Sequence, residues 1–436
     1  MTFETARDLL AANDQSHVLR FWSELSETDR TALLEQIASL DFPSIARMKL
    51  LLKETASAAS GEEFPPAPVE TPTSAEFAVA GKVGSDLIRA GRTGVLVVAG
   101  GQGSRLGFEG PKGAYPIGPV TGRSLFYFHT RKIAALAKEY GVRIPFYIMT
   151  SDTNDAATRA HFAENDYFGL AQEDVFFFVQ GMWPALTAEG KIILDTPSHI
   201  FMSPDGHGGT LSALAASGAI ADMERRGVTM LYFFQVDNPM VEICDPVFMG
   251  LHELRKADIS VKVCAKRAPS EGLGIVVKRG DRFAMVEYSE LTDEQKNRRR
   301  PDGSLYYNYG SVAIHVFSRE FLKKEALGNM PLHVAVKKIP FCDEHGKTVK
   351  PEKNNGYKFE KFIFDVLPDA GRVLNLAFDR TEEFSPLKNA SGDDSPESVR
   401  RDLIAKWTRH LAAAGVSIPE TGVFEIDPCD PLTPIN

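Results

Sequence analysis

Residues 95–113 read VLVVAGGQGSRLGFEGPKG, an apolar run followed by a glycine-rich loop that carries two cations. The run Val95–Val98 has the length and composition of a buried strand, and the glycines mark the turn after it. Glycines in this place let backbone N–H groups approach phosphate oxygens without a side chain in the way. Arg105 and Lys112 add positive charges that suit a triphosphate. The stretch predicts a strand and a triphosphate-binding loop at Ala99–Lys112.

Two better-known glycine loops do not fit this spacing. A Walker A loop needs Gly-Lys-Ser/Thr directly before its helix, and that triplet is absent. A dinucleotide fingerprint counted from Gly101 requires glycine at the sixth position, where Leu106 stands. A tight turn without a ligand explains two glycines, but not four glycines combined with an arginine and a lysine.

Outward from the loop, short apolar runs alternate with helical periods. The predicted strands include Pro145–Thr150, Val175–Val179 and Met230–Val236, and the predicted helices include Leu125–Lys138, Asn154–Glu164 and Leu211–Arg225. Such alternation predicts an α/β, Rossmann-like fold with a mostly parallel or mixed central sheet flanked by helices. Ligands of these sheets bind beyond the carboxyl ends of the strands, and Asp237 follows one of them.

The flanks of this region differ from it in pattern. The first sixty residues predict helices, with a capping signal at Ser26–Asp29, and the proline-rich stretch 60–74 reads as a linker. From about 260 to 317 short strand-like segments predict an extension of the sheet, and a helix is expected at Val399–Ala413. We therefore predict an N-terminal helical segment and linker (1–80), a catalytic domain (81–384) and a small C-terminal lobe (385–436).

Composition excludes several classes of protein. The net charge of −9 argues against a general nucleic-acid binder, although a few residues can still form a local phosphate site. No apolar run approaches the roughly 20 residues of a membrane helix, and the N-terminus lacks the features of a signal peptide. The four cysteines are scattered singly, as expected of reduced thiols in a cytoplasmic protein. A monomer or weak homo-oligomer is expected.

The motif AGGQGSRLG…PKG resembles the signature of the eukaryotic-type UDP-sugar pyrophosphorylases, above all of the UDP-N-acetylglucosamine pyrophosphorylases. Further blocks in family order extend the resemblance over about Val95 to Asn389: FYIMTS (146–151), YFGL (167–170), QGM (180–182), PDG (204–206), VEYSE (286–290), KKIP (337–340) and EFSPLKN (383–389). The resemblance implies a nucleotidyltransferase domain of the GT-A-like type. It also implies UTP and a sugar 1-phosphate as substrates, pyrophosphate as a product, and Mg²⁺ as the cofactor.

The resemblance assigns a role to each matching position. Gly100, Gly101, Gly103 and Arg105 would cradle the phosphates, and Lys112 and Lys388 would neutralise them. Asp237 would bind Mg²⁺, for which one carboxylate plus substrate phosphates is an ordinary set of ligands. Gln180 and the Gly206 backbone would read uracil. The sugar would contact His207, Gly274, Glu287, Asn308 and Ser311.

The implied chemistry is an in-line attack of the sugar phosphate on the α-phosphorus of UTP. The attacking phosphate is already ionised, so positioning and cations suffice and a general base is not needed.

On the sugar side the sequence departs from the resemblance. His207 stands where the acetylglucosamine enzymes carry asparagine after Pro-Asp-Gly, and Ser311 replaces a second asparagine. The expected substrate is N-acetylglucosamine 1-phosphate, with glucose or galactose 1-phosphate and a broad UDP-sugar pyrophosphorylase as alternatives. An oxidoreductase that binds a nucleotide cofactor on the same fold is a rival from another class, and the failed fingerprint spacing argues against it.

Overall fold

The computed structural model describes residues 1–54, 63–419 and 422–436. The α-helices are α1 Phe3–Ala12, α2 Glu27–Ser39, α3 Phe42–Glu54, α4 Ser74–Arg89, α5 Leu125–Tyr140, α6 Asp155–Glu164, α7 Gly209–Ala216, α8 Ala219–Arg226, α9 Pro246–Leu254, α10 Asp293–Asn297, α11 Arg319–Ala326, α12 Arg380–Glu383 and α13 Pro396–Ala413. The strands are β1 Thr93–Val98, β2 Phe146–Thr150, β3 Val175–Val179, β4 Met182–Pro184, β5 Leu194–Thr196, β6 His199–Ile200, β7 Met202–Pro204, β8 Met230–Gln235, β9 Ile259–Ala265, β10 Ile275–Arg279, β11 Arg282–Val286, β12 Tyr309–Ser318, β13 His333–Lys337, β14 Phe341–Cys342, β15 Thr348–Val349, β16 Gly356–Glu360, β17 Val373–Ala377, β18 Glu425–Asp427 and β19 Asp430–Ile435.

The chain forms two compact units. The first comprises Met1–Gly61, Gly181–Gly209 and Met330–Ile363, and the second comprises Glu62–Gln180, Thr210–Asn329 and Phe364–Asn436. Two insertions from the middle of the chain thus join the N-terminal segment in the first unit. Each unit consists of three separate segments of the chain, whereas the predicted domains are three consecutive ranges. The division into those three domains stays a prediction.

A seven-stranded sheet forms the centre of the second unit, in the order β17-β9-β12-β8-β1-β2-β3. β1 pairs in parallel with β2 and β8, β2 with β3, and β17 with β9. β12 is antiparallel to both of its neighbours, β8 and β9. The predicted mixed, mostly parallel sheet is confirmed. The inner strand β1 is apolar because helices cover both faces of such a sheet, and Val95, Leu96 and Val97 are fully buried.

Helices α4 and α9 pack against each other with unusually close backbones. A Cβ atom added to Gly84 would lie 1.8 Å from the Pro246 carbonyl oxygen, and one added to Gly250 would lie 1.8 Å from the Ala80 oxygen. Glycine is therefore required at both positions, since a methyl group would collide with backbone that cannot turn aside.

The first unit is built on short hairpins and the N-terminal helices. β4 pairs with β7, β5 with β6, β13 with β16 and β14 with β15. Leu33 and Ile37 of α2 are fully buried and pack into one cluster with residues of the inserted segments, among them Trp183 and Phe359. Ser26 caps α2 by accepting a hydrogen bond from Asp29 N, as the sequence predicts.

Three expectations need adjustment. The helix predicted at Leu211–Arg225 is two helices, α7 and α8, because Gly218 adopts a left-handed conformation (φ +80) between them. Of the strands expected near 260–317, β9 and β12 extend the sheet, whereas β10 and β11 form a separate hairpin. The first residues of the predicted linker lie outside the described residues, and its remainder makes single bridges from Pro66 to Val277 and from Glu70 to Leu376.

Within the described ranges, every helix is too short or too polar to cross a bilayer. Cys244, Cys264 and Cys342 are buried free thiols and Cys429 is half-buried, as the scattered cysteines predict.

Candidate functional site

In the second unit, polar or glycine-rich segments follow the carboxyl ends of four parallel strands, and the segments after β1, β3 and β8 hold predicted nucleotide-binding positions. The glycine loop follows β1, Asn154 follows β2, Gln180 follows β3 and Asp237 follows β8. β1 lies between β2 and β8, with Val98 opposite Met149 on one side and Gln235 on the other. The positions therefore meet at one edge of the sheet, as expected for a doubly wound fold.

The loop after β1 folds back on itself. Gly103 N donates to the Gly110 oxygen at 2.9 Å, and Lys112 N donates to the Gly101 oxygen at 3.0 Å. A Cβ atom on Gly101 would meet nothing within 4 Å, so the backbone faces open space there. On Gly103 a Cβ atom would lie 2.7 Å from the Phe108 ring. The loop thus presents accessible backbone at one glycine and requires tight packing at the other.

Gly100 and Gln180 are direct neighbours. A Cβ atom at position 100 would lie 2.3 Å from the Gln180 side-chain oxygen, so any other residue there would displace the Gln180 amide. Gln180 is 8% exposed, and its backbone N donates to the Thr150 oxygen at 2.9 Å. The structure therefore brings a predicted phosphate-binding residue together with a predicted uracil-reading residue.

Lys112 links the glycine loop to two other predicted site segments. Its Nζ lies 3.5 Å from Asp237 Oδ2 and donates to the Leu387 carbonyl at 3.1 Å. Both side chains of the ion pair are largely buried, with 18% and 13% exposed. Leu387 N in turn donates to the Asp237 carbonyl at 2.8 Å. Lys112, Asp237 and the residue before Lys388 thus form one hydrogen-bonded cluster.

The other two predicted phosphate-binding cations lack counter-ions. Among the described residues, neither the Arg105 guanidinium nor the Lys388 ammonium has a hydrogen-bond or ion-pair partner. Arg105 is exposed on the loop and Lys388 is half-buried. Unpaired cations flanking a glycine loop favour a polyanionic ligand.

The donor set at Asp237 fits magnesium held with a substrate. The part of the chain that the structure describes contains no cluster of three or more His, Cys, Asp or Glu side chains suited to a metal. A single carboxylate is what Mg²⁺ requires when phosphate oxygens and waters complete its shell. Asp237 could therefore hold Mg²⁺ once a nucleotide supplies the remaining ligands.

Three of the predicted sugar-binding residues cluster: Gly274 directly before β10, Glu287 directly after β11, and Ser311 in β12. Ser311 N donates to the Gly274 oxygen at 2.8 Å, and a Cβ atom on Gly274 would lie 3.4 Å from Glu287 Oε1. A bulge in β12 follows Ser311, and Ala313 within it has a left-handed φ of 57°. Such bulges re-aim side chains next to binding sites.

Asn308 stands apart from that cluster. It lines a cavity of about 320 Å³ together with Arg300, Tyr309 and Asn375, and this cavity includes none of the three clustered residues. The sugar-binding role of Asn308 stays a prediction.

Gly206 and His207 belong to the first unit. Gly206 has φ +85, and a Cβ atom there would lie 2.4 Å from the Lys361 carbonyl oxygen. His207 Nδ1 accepts a hydrogen bond from Ile363 N at 3.1 Å, and its ring stacks on Phe362 with centroids 5.3 Å apart. Because Nδ1 accepts, the neutral ring carries its proton on Nε2. His207 can therefore act as a hydrogen-bond donor, as an asparagine amide would.

Asp205, next to Gly206, is a buried carboxyl in an unusual setting. It is 3% exposed, and its Oδ1 has no hydrogen-bond partner among the described residues. Burial raises the pKa of Asp205 to about 7, while the nearby Lys361 charge opposes the shift. Cβ atoms on Gly181 and Gly209 would fall 2.6 Å and 2.0 Å from its oxygens, so both glycines make room for the carboxyl.

Two buried asparagines support the site and were not singled out from the sequence. Asn154 Nδ2 donates to the Ala99 oxygen at 2.9 Å and the Gly101 oxygen at 3.2 Å, which anchors the glycine loop. Asn238 Nδ2 donates to the Glu383 oxygen at 2.7 Å, and its Oδ1 accepts from Ser385 N at 3.1 Å. Their only sequence signal is an asparagine within four residues of a strand end, a position that turns also favour.

Comparison with known proteins agrees with this arrangement. A family profile described as UTP–glucose-1-phosphate uridylyltransferase, UDPGP, matches residues 71–399. The chain belongs to the UDPGP family. It is similar to the human UDP-N-acetylhexosamine pyrophosphorylase-like protein 1, with 38% identity over 96% of this chain and 88% of that protein.

Further members of the UDPGP family extend the similarity. The chain is 35% identical to the Saccharomyces cerevisiae UDP-N-acetylglucosamine pyrophosphorylase, over 96% of this chain and 93% of that protein. The Trypanosoma brucei uridine diphosphate N-acetylglucosamine pyrophosphorylase, solved with an inhibitor, superposes with a TM-score of 0.83 and 28% identity. That match covers 97% of this chain and 89% of that structure. The resemblance predicted from the motifs is confirmed, and the chain is a uridylyltransferase of this family.

Proposed function

We propose that this uridylyltransferase transfers the uridylyl group of UTP to N-acetylglucosamine 1-phosphate and releases pyrophosphate. The observation that carries the proposal is the hydrogen-bonded cluster of Lys112, Asp237 and Leu387 beside the glycine loop. It brings a cation and a carboxylate that follow the neighbouring strands β1 and β8 together with the segment that carries Lys388. The names of the similar human and yeast proteins support the choice of an acetamido sugar.

In the proposed reaction the loop positions the triphosphate and the cations stabilise the charge that develops on it. Backbone N–H groups near Gly101 would bind phosphate oxygens, while Arg105 and Lys388, which lack counter-ions, would neutralise them. Bound Mg²⁺, held by Asp237, would supply further charge neutralisation on the phosphates. Nucleotide binding would free Lys112 to exchange its contact with Asp237 for one with phosphate. The acceptor phosphate is already ionised, so no residue has to remove a proton.

The preferred sugar is the finer part of the proposal. Gly274, Glu287 and Ser311 form a small polar cluster in the second unit. Position 207, in the first unit, carries an imidazole where the resemblance expects an asparagine amide. The Ser311 hydroxyl and the imidazole at position 207 can both form hydrogen bonds, as the expected asparagines would, but they differ from asparagine in size and shape. Glucose 1-phosphate is therefore the competitor to test.

The direct experiment measures pyrophosphate release from UTP and Mg²⁺ with N-acetylglucosamine, N-acetylgalactosamine, glucose and galactose 1-phosphates. We expect the highest kcat/KM with N-acetylglucosamine 1-phosphate. A value for glucose 1-phosphate larger by about tenfold, equivalent to 1.4 kcal/mol of transition-state binding, would overturn the choice of sugar. No activity with any of the four would overturn the proposed reaction.

His207→Asn tests the sugar side alone. We expect a higher kcat/KM for the acetamido sugar relative to glucose 1-phosphate and little change in the KM for UTP. An altered KM for UTP with an unchanged sugar preference would show that His207 does not read the sugar.

A further inference from the structure

The second unit contains a cavity of about 290 Å³ that no part of the proposed reaction uses. One wall is the segment 239–243, which begins two residues after Asp237. The other walls come from α5, α13 and the C-terminal hairpin of β18 and β19. The volume lies near the lower end of the range for small-molecule sites, which is about 300–1,000 Å³.

The cavity has an apolar floor and an open rim. Phe128, Met240 and Leu403 are each at most 2% exposed, whereas Leu432 at the rim is 54% exposed. Phe128 and Trp407 form an aromatic pair, with ring centroids 6.1 Å apart and an interplanar angle of 33°. A flat apolar group entering past Leu432 would find aromatic and aliphatic surface on several sides.

Two lysines and two glutamates, Glu139 and Glu242, are the charged residues of this cavity's lining, and the lysines contact its backbone wall. Lys132 of α5 donates to the Pro239 oxygen at 2.6 Å and the Val241 oxygen at 2.7 Å. Lys406 of α13 donates to the intervening Met240 oxygen at 3.2 Å and pairs with Glu242. Three successive carbonyls are thus held by two ammonium groups.

Lys132 has capacity for a further partner. Its ammonium has three N–H donors, and two carbonyls use two of them. Among the described residues no carboxylate lies within 4.0 Å of its Nζ, because Glu242 pairs with Lys406 instead. Burial, together with the charge of Lys406, lowers the pKa of Lys132 to about 7. A half-buried cation beside another cation is stabilised when an anion binds.

We propose that this cavity is a second ligand site, which takes a small monoanion whose carboxylate is attached to a flat apolar body. The carboxylate would accept a hydrogen bond from Lys132, and the apolar body would lie against Phe128 and Trp407. A neutral molecule of the same shape would gain the apolar contacts but would leave the Lys132 charge uncompensated.

A ligand in this cavity would affect the nucleotide site through two of the cavity's walls, the segment 239–243 and α13. An anion bound to the third N–H of Lys132 would shift the ammonium group that holds the Pro239 and Val241 carbonyls, which lie two and four residues after Asp237. α13 also provides Asp402, which accepts a hydrogen bond from Ser385 at 2.7 Å in the segment that ends at Lys388. The ligand would therefore change turnover from outside the nucleotide site. This consequence rests on the proposed function, whereas the binding itself does not.

Calorimetric titration of the full chain with 2-naphthoate, and with neutral 2-naphthamide of the same shape, tests the site. We expect saturable 1:1 binding of 2-naphthoate and at least about tenfold weaker binding of the amide. Ala135→Trp, which fills the cavity from α5 and keeps both lysines, should abolish binding. Lys132→Met should remove the preference for the acid, while Lys138→Met, an exposed lysine on the same helix, should leave it unchanged.

Several results would overturn the proposal. They are an absence of saturable binding to the folded chain, equal affinities for acid and amide, and unchanged binding to folded Ala135→Trp. Ala135→Trp keeps the test decisive if Lys132→Met does not fold. A separate assay of pyrophosphate release with and without 2-naphthoate addresses the coupling. Binding without any effect on turnover would refute the coupling alone, and an inactive chain that still binds would refute only the proposed reaction.

Discussion

Replacing Asn238 with alanine should weaken both the stability of the chain and its turnover. The side chain is 3% exposed and makes three hydrogen bonds to backbone: to the Glu383 oxygen at 2.7 Å, from Ser385 N at 3.1 Å and from Met240 N at 3.3 Å. A typical hydrogen bond contributes about 1 kcal/mol net, so the free energy of unfolding should fall by about 3 kcal/mol. Urea unfolding followed by circular dichroism measures this loss.

The expected effect on catalysis follows from the position of those contacts. Asn238 directly follows Asp237, and its side chain holds the segment Glu383–Ser385 through two hydrogen bonds. Lys388 lies three residues beyond that segment. Without the amide, the Lys388 cation and the Asp237 carboxylate, which we propose binds Mg²⁺, are no longer held in one geometry. Because misplaced groups lower the rate of the chemical step, we expect kcat to fall by at least about tenfold, with a smaller change in the KM for UTP.

A surface asparagine provides the control for this experiment. Asn297 in α10 is exposed and its Nδ2 donates only to the Asp293 oxygen, so Asn297→Ala should change stability by less than about 0.5 kcal/mol and leave kcat unchanged. The reasoning is refuted if folded Asn238→Ala retains the native kcat, or if its loss of stability matches that of Asn297→Ala.

Three further perturbations test other parts of the structure. Asp237→Asn should lower pyrophosphate release by at least about a hundredfold at every Mg²⁺ concentration, and a near-native, magnesium-responsive variant would contradict the metal assignment. Burial raises the pKa of Asp205 to about 7 from 3.8, so stability is lost as pH rises through that interval. Asp205→Asn should then be the more stable protein by on the order of 2–4 kcal/mol at about pH 8.5 in urea unfolding, and the difference should shrink toward pH 4; an equal difference at both pH values would contradict the shifted pKa. Gly250→Ala should lower the free energy of unfolding by about 2 kcal/mol or more, because the added methyl group would collide with the Ala80 oxygen. Gly81→Ala, whose methyl group would lie 3.7 Å from the nearest atom, should be neutral or slightly stabilising. Equal thermal midpoints for the two variants would contradict the close packing of α4 and α9.

Much of the central sheet could be predicted from local pattern. The run Val175–Val179 is the observed strand β3, and the apolar run Val95–Val98 falls within β1. The run in β1 identifies a strand because a parallel sheet covered on both faces buries its inner strands, whereas β3 lies at the edge of the sheet and is only partly buried. The helix boundary at Gly218 was missed because the apolar period continues through it, and one glycine in a left-handed conformation divides the helix.

The sequence by itself determined the class of chemistry. A phosphate-binding loop is formed by residues that are close together in sequence, so glycines after a strand with cations at fixed spacing are enough to predict it. The ordered motifs identify the family. Only the tertiary structure decided which distant residues complete that loop. Lys112 meets Leu387 across 275 positions, and Asn238 meets Glu383 across 145. No local pattern encodes such contacts, because they depend on which strand ends lie side by side in the sheet. The same reason explains the cavity next to Pro239. Its two lysines are ordinary helical residues in the sequence, and only the packing of α5 and α13 brings them to three successive carbonyls, two bound by Lys132 and one by Lys406.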